Sequence, residues 1–113
     1  TSMERSDLAE TGLDVEPVKQ VERLAQLTEN SGFDGVVCSA QEVGVIRSLC
    51  NPGFLTVTPG IRPVGSAAGD QRRIMTPPEA LAAGVSYMVI GRPVTQAPDP
   101  EEACRNILNS LRE

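Results

Sequence analysis

At 113 residues the chain holds at most one domain, enough to bury a workable core. With two Phe, one Tyr and no Trp that core is aliphatic, and a net charge of −5 without a Lys/Arg run argues against nucleic acid and anionic membranes as partners. Three widely spaced cysteines and no histidine exclude His-based triads, His general bases and most zinc sites, leaving a reduced, cytoplasmic protein with buried thiols as the plain expectation.

In chain order, Thr1 and Ser2 precede a helix-competent stretch, Met3–Glu10, closed by Gly12. Pro17 suits the first turn of a longer helix, in which Val18, Val21, Leu24, Ala25 and Thr28 recur at the spacing of an inward face. Gly32 stands where that helix needs a left-handed residue to stop. Gly35-Val36-Val37-Cys38 is a short apolar run of the kind buried on both faces of a parallel sheet. A helix over Ala40–Leu49 follows, with Val43, Ile46 and Leu49 on one side.

Leu55–Thr58 reads as a second strand, and Pro59–Arg73, with three glycines and no periodicity, as a long loop. Thr76-Pro77-Pro78-Glu79 carries N-cap, Pro and capping-box signals for a helix that Gly84 ends. Tyr87–Ile90 is a third strand. Asp99-Pro100 opens a last helix through Leu111, with Ala103, Ile107, Leu108 and Leu111 inward. Strands separated by helices pair in parallel, because each crossover needs one. Three such units are too few for a doubly wound sheet. The expected fold is α/β: the C-terminal portion of a (β/α)8 TIM barrel, a single partial domain over residues 1–113 whose N-terminal strands are absent.

In parallel α/β folds ligands sit where strands end and loops begin. Gly91-Arg92 ends the third strand: glycine lets an oxygen approach the backbone N–H, and the guanidinium offers a planar fork to a phosphate. The plainer reading is a turn glycine beside a solvated Arg. Arg62 ends the second strand and opens the long loop, in which the amide of Gln71 donates and accepts at once and so suits a planar base. Arg72 and Arg73 read better as anchors of that loop. Thr1 and Ser2 offer hydroxyls at a strand end, or simply cap the helix that follows. Ser39 is a cap or turn residue, not a nucleophile, for want of a base. No pair of carboxylates falls at a strand end.

Phe33–Ala40, Val57-Thr58-Pro59-Gly60-Ile61-Arg62-Pro63, Gly69-Asp70-Gln71-Arg72-Arg73 and Tyr87–Pro93 together resemble the bacterial orotidine 5′-phosphate decarboxylase family, in order and along essentially the whole chain. The resemblance implies a homodimeric barrel that converts orotidine 5′-monophosphate to uridine 5′-monophosphate (UMP) in pyrimidine biosynthesis without metal or organic cofactor. It implies that Gly91 and Arg92 hold the phosphate and that Arg62 contacts the ligand where the phosphate-side loop begins. Gln71 would bridge phosphate and pyrimidine, and Thr1 and Ser2 would reach the pyrimidine ring.

The family's Asp-x-Lys-x-x-Asp segment is absent, and the one lysine, Lys19, falls on a helix face. No catalytic residue is therefore expected here, and the chain alone should not decarboxylate. Related phosphosugar decarboxylase and isomerase barrels share a phosphate-gripping last strand but have no need of Gly69–Arg73. A non-catalytic half-barrel, pairing through its open sheet edge, is the alternative from another class.

Overall fold

The computed structural model describes residues 3–63 and 74–112. Its elements are α1 (Arg5–Glu10), α2 (Pro17–Asn30), β1 (Gly35–Val37), a 3-10 turn (Ala40–Glu42) running into α3 (Val43–Leu49), β2 (Leu55–Thr58), α4 (Pro77–Ala83), β3 (Tyr87–Met88), α5 (Arg92–Thr95) and α6 (Pro100–Ser110). The helix boundaries follow local chemistry. Pro17, Pro77 and Pro100 stand in first turns, where a missing N–H costs nothing. Asp99 accepts from Glu102 N at 3.1 Å, and Glu79 accepts from both the amide and the hydroxyl of Thr76. Gly32, at φ +90°, ends α2 with Gly32 N donating to Glu29 O and Phe33 N to Thr28 O, the paired closure that a left-handed glycine permits.

The strands form one parallel sheet in the order β1-β2-β3. Val36 pairs with Thr56, Val57 with Tyr87, and Thr58 with Met88. Gly35 is dictated by this pairing, since a Cβ there would collide with the Leu55 carbonyl. One face packs on helices: Val36, Cys38, Met88 and Ile90 meet Ala25 of α2, Val43 and Ile46 of α3, and Ala80 of α4. Thr56 and Thr58, on the same face, are fully buried, and Thr58 Oγ1 has no hydrogen-bond partner among the described residues.

The other face is open. Val37 is 73% exposed and Tyr87 61%, with Leu55 and Val89 also exposed. This corrects the expectation that Gly35–Cys38 is buried on both faces. The molecule measures 43 × 33 × 19 Å, and its least dimension admits a sheet and one helical layer, each roughly 10 Å thick. With one layer of helices, only alternate strand residues find neighbours.

The same geometry corrects several helix faces. Val18, Leu24 and Leu49 are exposed, as is Leu108, at 52%, while Ala25, Ile46 and Ile107 carry the inward stripe of their helices. Cys38 and Cys50 are buried as expected, but Cys104 lies exposed on α6. The four-residue α5 had no counterpart in the sequence reading.

At the N-terminal ends of β2 and β3, Arg47 of α3 ties three segments together. Its Nε and Nη2 donate to Gly84 O at 3.2 and 2.9 Å, Nη2 donates to Ser86 Oγ at 2.7 Å, and Nη1 donates to Phe54 O. Thr56 N donates to Ser86 Oγ and Ser86 N to Thr56 Oγ1, both at 3.0 Å, closing the same junction. Arg47→Met keeps the aliphatic stem but removes the guanidinium donors to Phe54 O and Gly84 O. A loss of about 2–4 kcal/mol is expected, read as a lower urea midpoint with unchanged slope.

Burial holds the Cys38 thiol up, from 9.0 to about 11, against a smaller opposing pull from Arg47. A raised folded-state value means that the unfolded chain loses the proton first. The contribution of Cys38 to stability should therefore be level below pH 9 and fall between pH 9 and about 11. At pH 8 iodoacetamide should label Cys104 and spare Cys38 until the protein unfolds; equal labelling would contradict this burial.

Candidate ligand site

Because all three strands run parallel, their C-terminal ends lie along one edge of the sheet. Three segments leave from there: Ser39 into the 3-10 turn, Pro59 to Pro63, and Val89 into α5. At the first, Ser39 Oγ accepts from Gln41 N at 3.4 Å and Ser39 N donates to Glu42 Oε2 at 3.3 Å. Ser39 is thus a cap, as the sequence suggested. Glu42, buried within this cap, was not singled out beforehand, although the Ser-x-x-Glu spacing is a capping-box signal.

At the second, Ile61 is fully buried and forms a parallel bridge with Met75: Arg62 N donates to Met75 O at 3.0 Å, and Met75 N donates to Gly60 O at 3.3 Å. Gly60, at φ +74°, turns the chain into this bridge. Arg62 is carried inward with it and is only 6% exposed. Its Nη1 donates to Ile61 O at 3.1 Å, and among the described residues no carboxylate pairs with it. A buried guanidinium with one carbonyl acceptor retains several N–H donors, and a low-dielectric setting strengthens their attraction for an anion.

At the third, Gly91 caps α5, and Arg92 is that helix's first residue and exposed. A Cβ built on Gly91 meets nothing within 4 Å, so the backbone there opens on space and not on protein. Strand pairing relates the second and third segments. Thr58 lies beside Met88, and Arg62 and Arg92 each follow by four residues. Just beyond them, Pro63 and Pro93 line one cavity of about 340 Å³ with Pro77, Pro78 and residues of α6. Arg62 and Arg92 therefore leave neighbouring strands at the same end of the sheet. Gln71, Thr1 and Ser2, like Arg72 and Arg73, lie outside the described residues.

A larger cavity, about 550 Å³, lies between α2 and β1 and is lined by Val21, Leu24, Val36 and Val37, together with Ser39 and Pro59. It borders the edge of β1 that has no strand partner among the described residues, and neither Arg62 nor Arg92 lines it. Its mainly apolar lining suits packing of protein better than an anionic ligand. Among the described residues no group of His, Cys, Asp and Glu could hold a metal ion, and no helix is long and apolar enough to cross a membrane.

This arrangement has close parallels among known proteins. Orotidine 5′-phosphate decarboxylases of Chromohalobacter salexigens and Vibrio campbellii are 59% and 61% identical to it over 113 and 111 residues, covering 100% and 98% of this chain. The chain spans 48% of the length of each of these curated relatives. Among solved structures, orotidine 5′-phosphate decarboxylase from Lactobacillus acidophilus superposes with a TM-score of 0.81 at 36% identity, over 100% of this chain and 46% of that one. The enzyme from Pyrococcus horikoshii does so with a TM-score of 0.63 at 25% identity, over 81% of this chain and 41% of that one. The three strand–helix units thus correspond to part of a (β/α)8 barrel. Residues 1–107 match the family described as orotidine 5′-phosphate decarboxylase / HUMPS, and the chain belongs to that family.

Proposed function

We propose that this chain forms the phosphate-binding end of a nucleotide monophosphate site, and that the full-length protein decarboxylates orotidine 5′-monophosphate to uridine 5′-monophosphate. The observation that carries this reading is the buried Arg62 guanidinium at the end of β2, beside the strand that ends in Gly91-Arg92. Two guanidinium groups and an open backbone suit the charge and shape of a phosphate monoester. A short helix after the last strand is also a recurring part of phosphate sites in such barrels, and α5 occupies that position.

Gln71, Thr1 and Ser2 complete the proposal from the family resemblance alone: Gln71 between phosphate and pyrimidine, Thr1 and Ser2 at the ring. The bond-breaking step belongs to residues outside this chain. Its one lysine, Lys19, lies on the exposed face of α2, 3.4 Å from Glu22. The contribution of this chain is binding energy from a part of the substrate that does not react. Such energy accelerates the reaction to the extent that it is realised in the transition state. In the whole protein, further strand–helix units continue the sheet from the free edges of β1 and β3, residues 1–113 being one part of a single barrel domain. The resemblance supports a homodimer, and the free cysteines fit a cytoplasmic setting.

The alternative, a nucleotide-binding module with no chemistry of its own, predicts the same ligand contacts and no turnover. UMP and uridine titrated into the protein test both the site and the phosphate's part in it. UMP should bind and uridine should bind far more weakly. Arg92→Ala, at an exposed position, should leave the fold intact and weaken UMP binding at least about thirtyfold, the equivalent of ~2 kcal/mol. Equal affinities for UMP and uridine, or an unchanged Arg92→Ala variant, would contradict the site.

A further inference from the structure

We propose that Gln41 is a positioning residue for phosphate binding, acting through the main chain at Ile74 and Met75 to fix Arg62; the inference rests on the reading of Arg62 given above. Gln41 is exposed, yet its Nε2 donates to Ile74 O at 2.9 Å, a contact across 33 residues of sequence. Its own backbone is held on both sides, because Ala40 and Glu42, the other residues of the 3-10 turn, are 2% and 5% exposed. The side chain therefore reaches out from a fixed base.

What it holds is the strand-like segment that carries Arg62. Ile74 O is one residue from Met75, whose carbonyl accepts from Arg62 N and whose amide donates to Gly60 O. The sequence of contacts runs from the end of β1, through the Gln41 amide, to Ile74, Met75 and Arg62 at the end of β2. Met75 is tied from its other side as well, since Thr76 is the N-cap of α4 and Thr76 O accepts from Ala80 N at 2.9 Å. Gln41 supplies the tether on the Ile74 side, where no other side-chain contact to the Ile74 carbonyl occurs among the described residues. A guanidinium must meet phosphate oxygens within a narrow range of distance and angle, so a small displacement of this bridge weakens binding without unfolding the protein.

The chemistry of the contact defines its test. Gln41→Glu keeps length and shape but has no N–H, and its carboxylate faces a carbonyl oxygen. Gln41→Lys restores a donor of comparable reach. Dissociation constants for UMP, inorganic phosphate and uridine are measured for each, together with amide hydrogen exchange at Arg62 and Met75.

In Gln41→Glu, UMP and phosphate should bind about fivefold more weakly, the scale of one ordinary hydrogen bond, with uridine unchanged. The Arg62 and Met75 amides should exchange faster, and Gln41→Lys should recover both properties to within about twofold. Unchanged exchange at these amides in Gln41→Glu would overturn the inference, and so would weakened uridine binding to the same degree. Wild-type protein that binds UMP while Gln41→Glu binds it equally well sinks the Gln41 role alone. Wild-type protein that binds neither UMP nor phosphate sinks the underlying site.

Discussion

The parallel register of β2 on β3 is the constraint from which the rest of the molecule follows. Val57 beside Tyr87 and Thr58 beside Met88 put the two strands in step, and Arg47 secures their entry by donating to Phe54 O, Gly84 O and Ser86 Oγ at once. With the strands in step at the N-terminal end, the segments that leave the other end are neighbours as well. Arg62 and Arg92 are 30 positions apart in sequence but each stands four residues beyond one bonded pair. Arg47 and the proposed phosphate site therefore lie at opposite ends of the same strands, the usual division of stability and binding in α/β barrels.

Burial divides the two arginines that the sequence singled out. Arg92 begins α5 in an exposed setting. Arg62 is drawn inward by Ile61, which sits fully buried and is bridged to Met75. Desolvation makes Arg62 the more demanding of the two, since a buried cation is stabilised by an anion far more than an exposed one is. A phosphate between them would meet one anchored donor group and one that adapts. The open face of Val37, Leu55, Tyr87 and Val89 fits the same picture, being the face that a closed barrel turns towards its interior.

Local signals in the sequence carried much of the fold. Proline in first turns, Glu79 behind Thr76, and left-handed glycines at 32 and 84 set the helix limits to within a residue or two. The strands were legible from apolar runs of the right length, and Arg62 and Arg92 became candidates for the proposed site from their places just after two of them. What escaped depends on layers or distant partners. Nothing in Gly35–Cys38 says that its sheet has helices on one side only, so Val37 reads as buried although it is exposed. The same holds for Leu24 and Leu108, whose spacing fits an inward stripe that the packing leaves outside. Arg47 and Gln41 look like ordinary helix-surface residues; their partners lie as many as 39 and 33 positions away, where no local pattern reaches.

A diffraction structure of the protein crystallised with UMP tests the central claim most directly. The phosphate should lie at the shared C-terminal end of β2 and β3, with guanidinium nitrogens of both Arg62 and Arg92 within about 3 Å of its oxygens. A phosphate bound elsewhere, such as in the apolar cavity beside α2, or held without either arginine, would contradict the account.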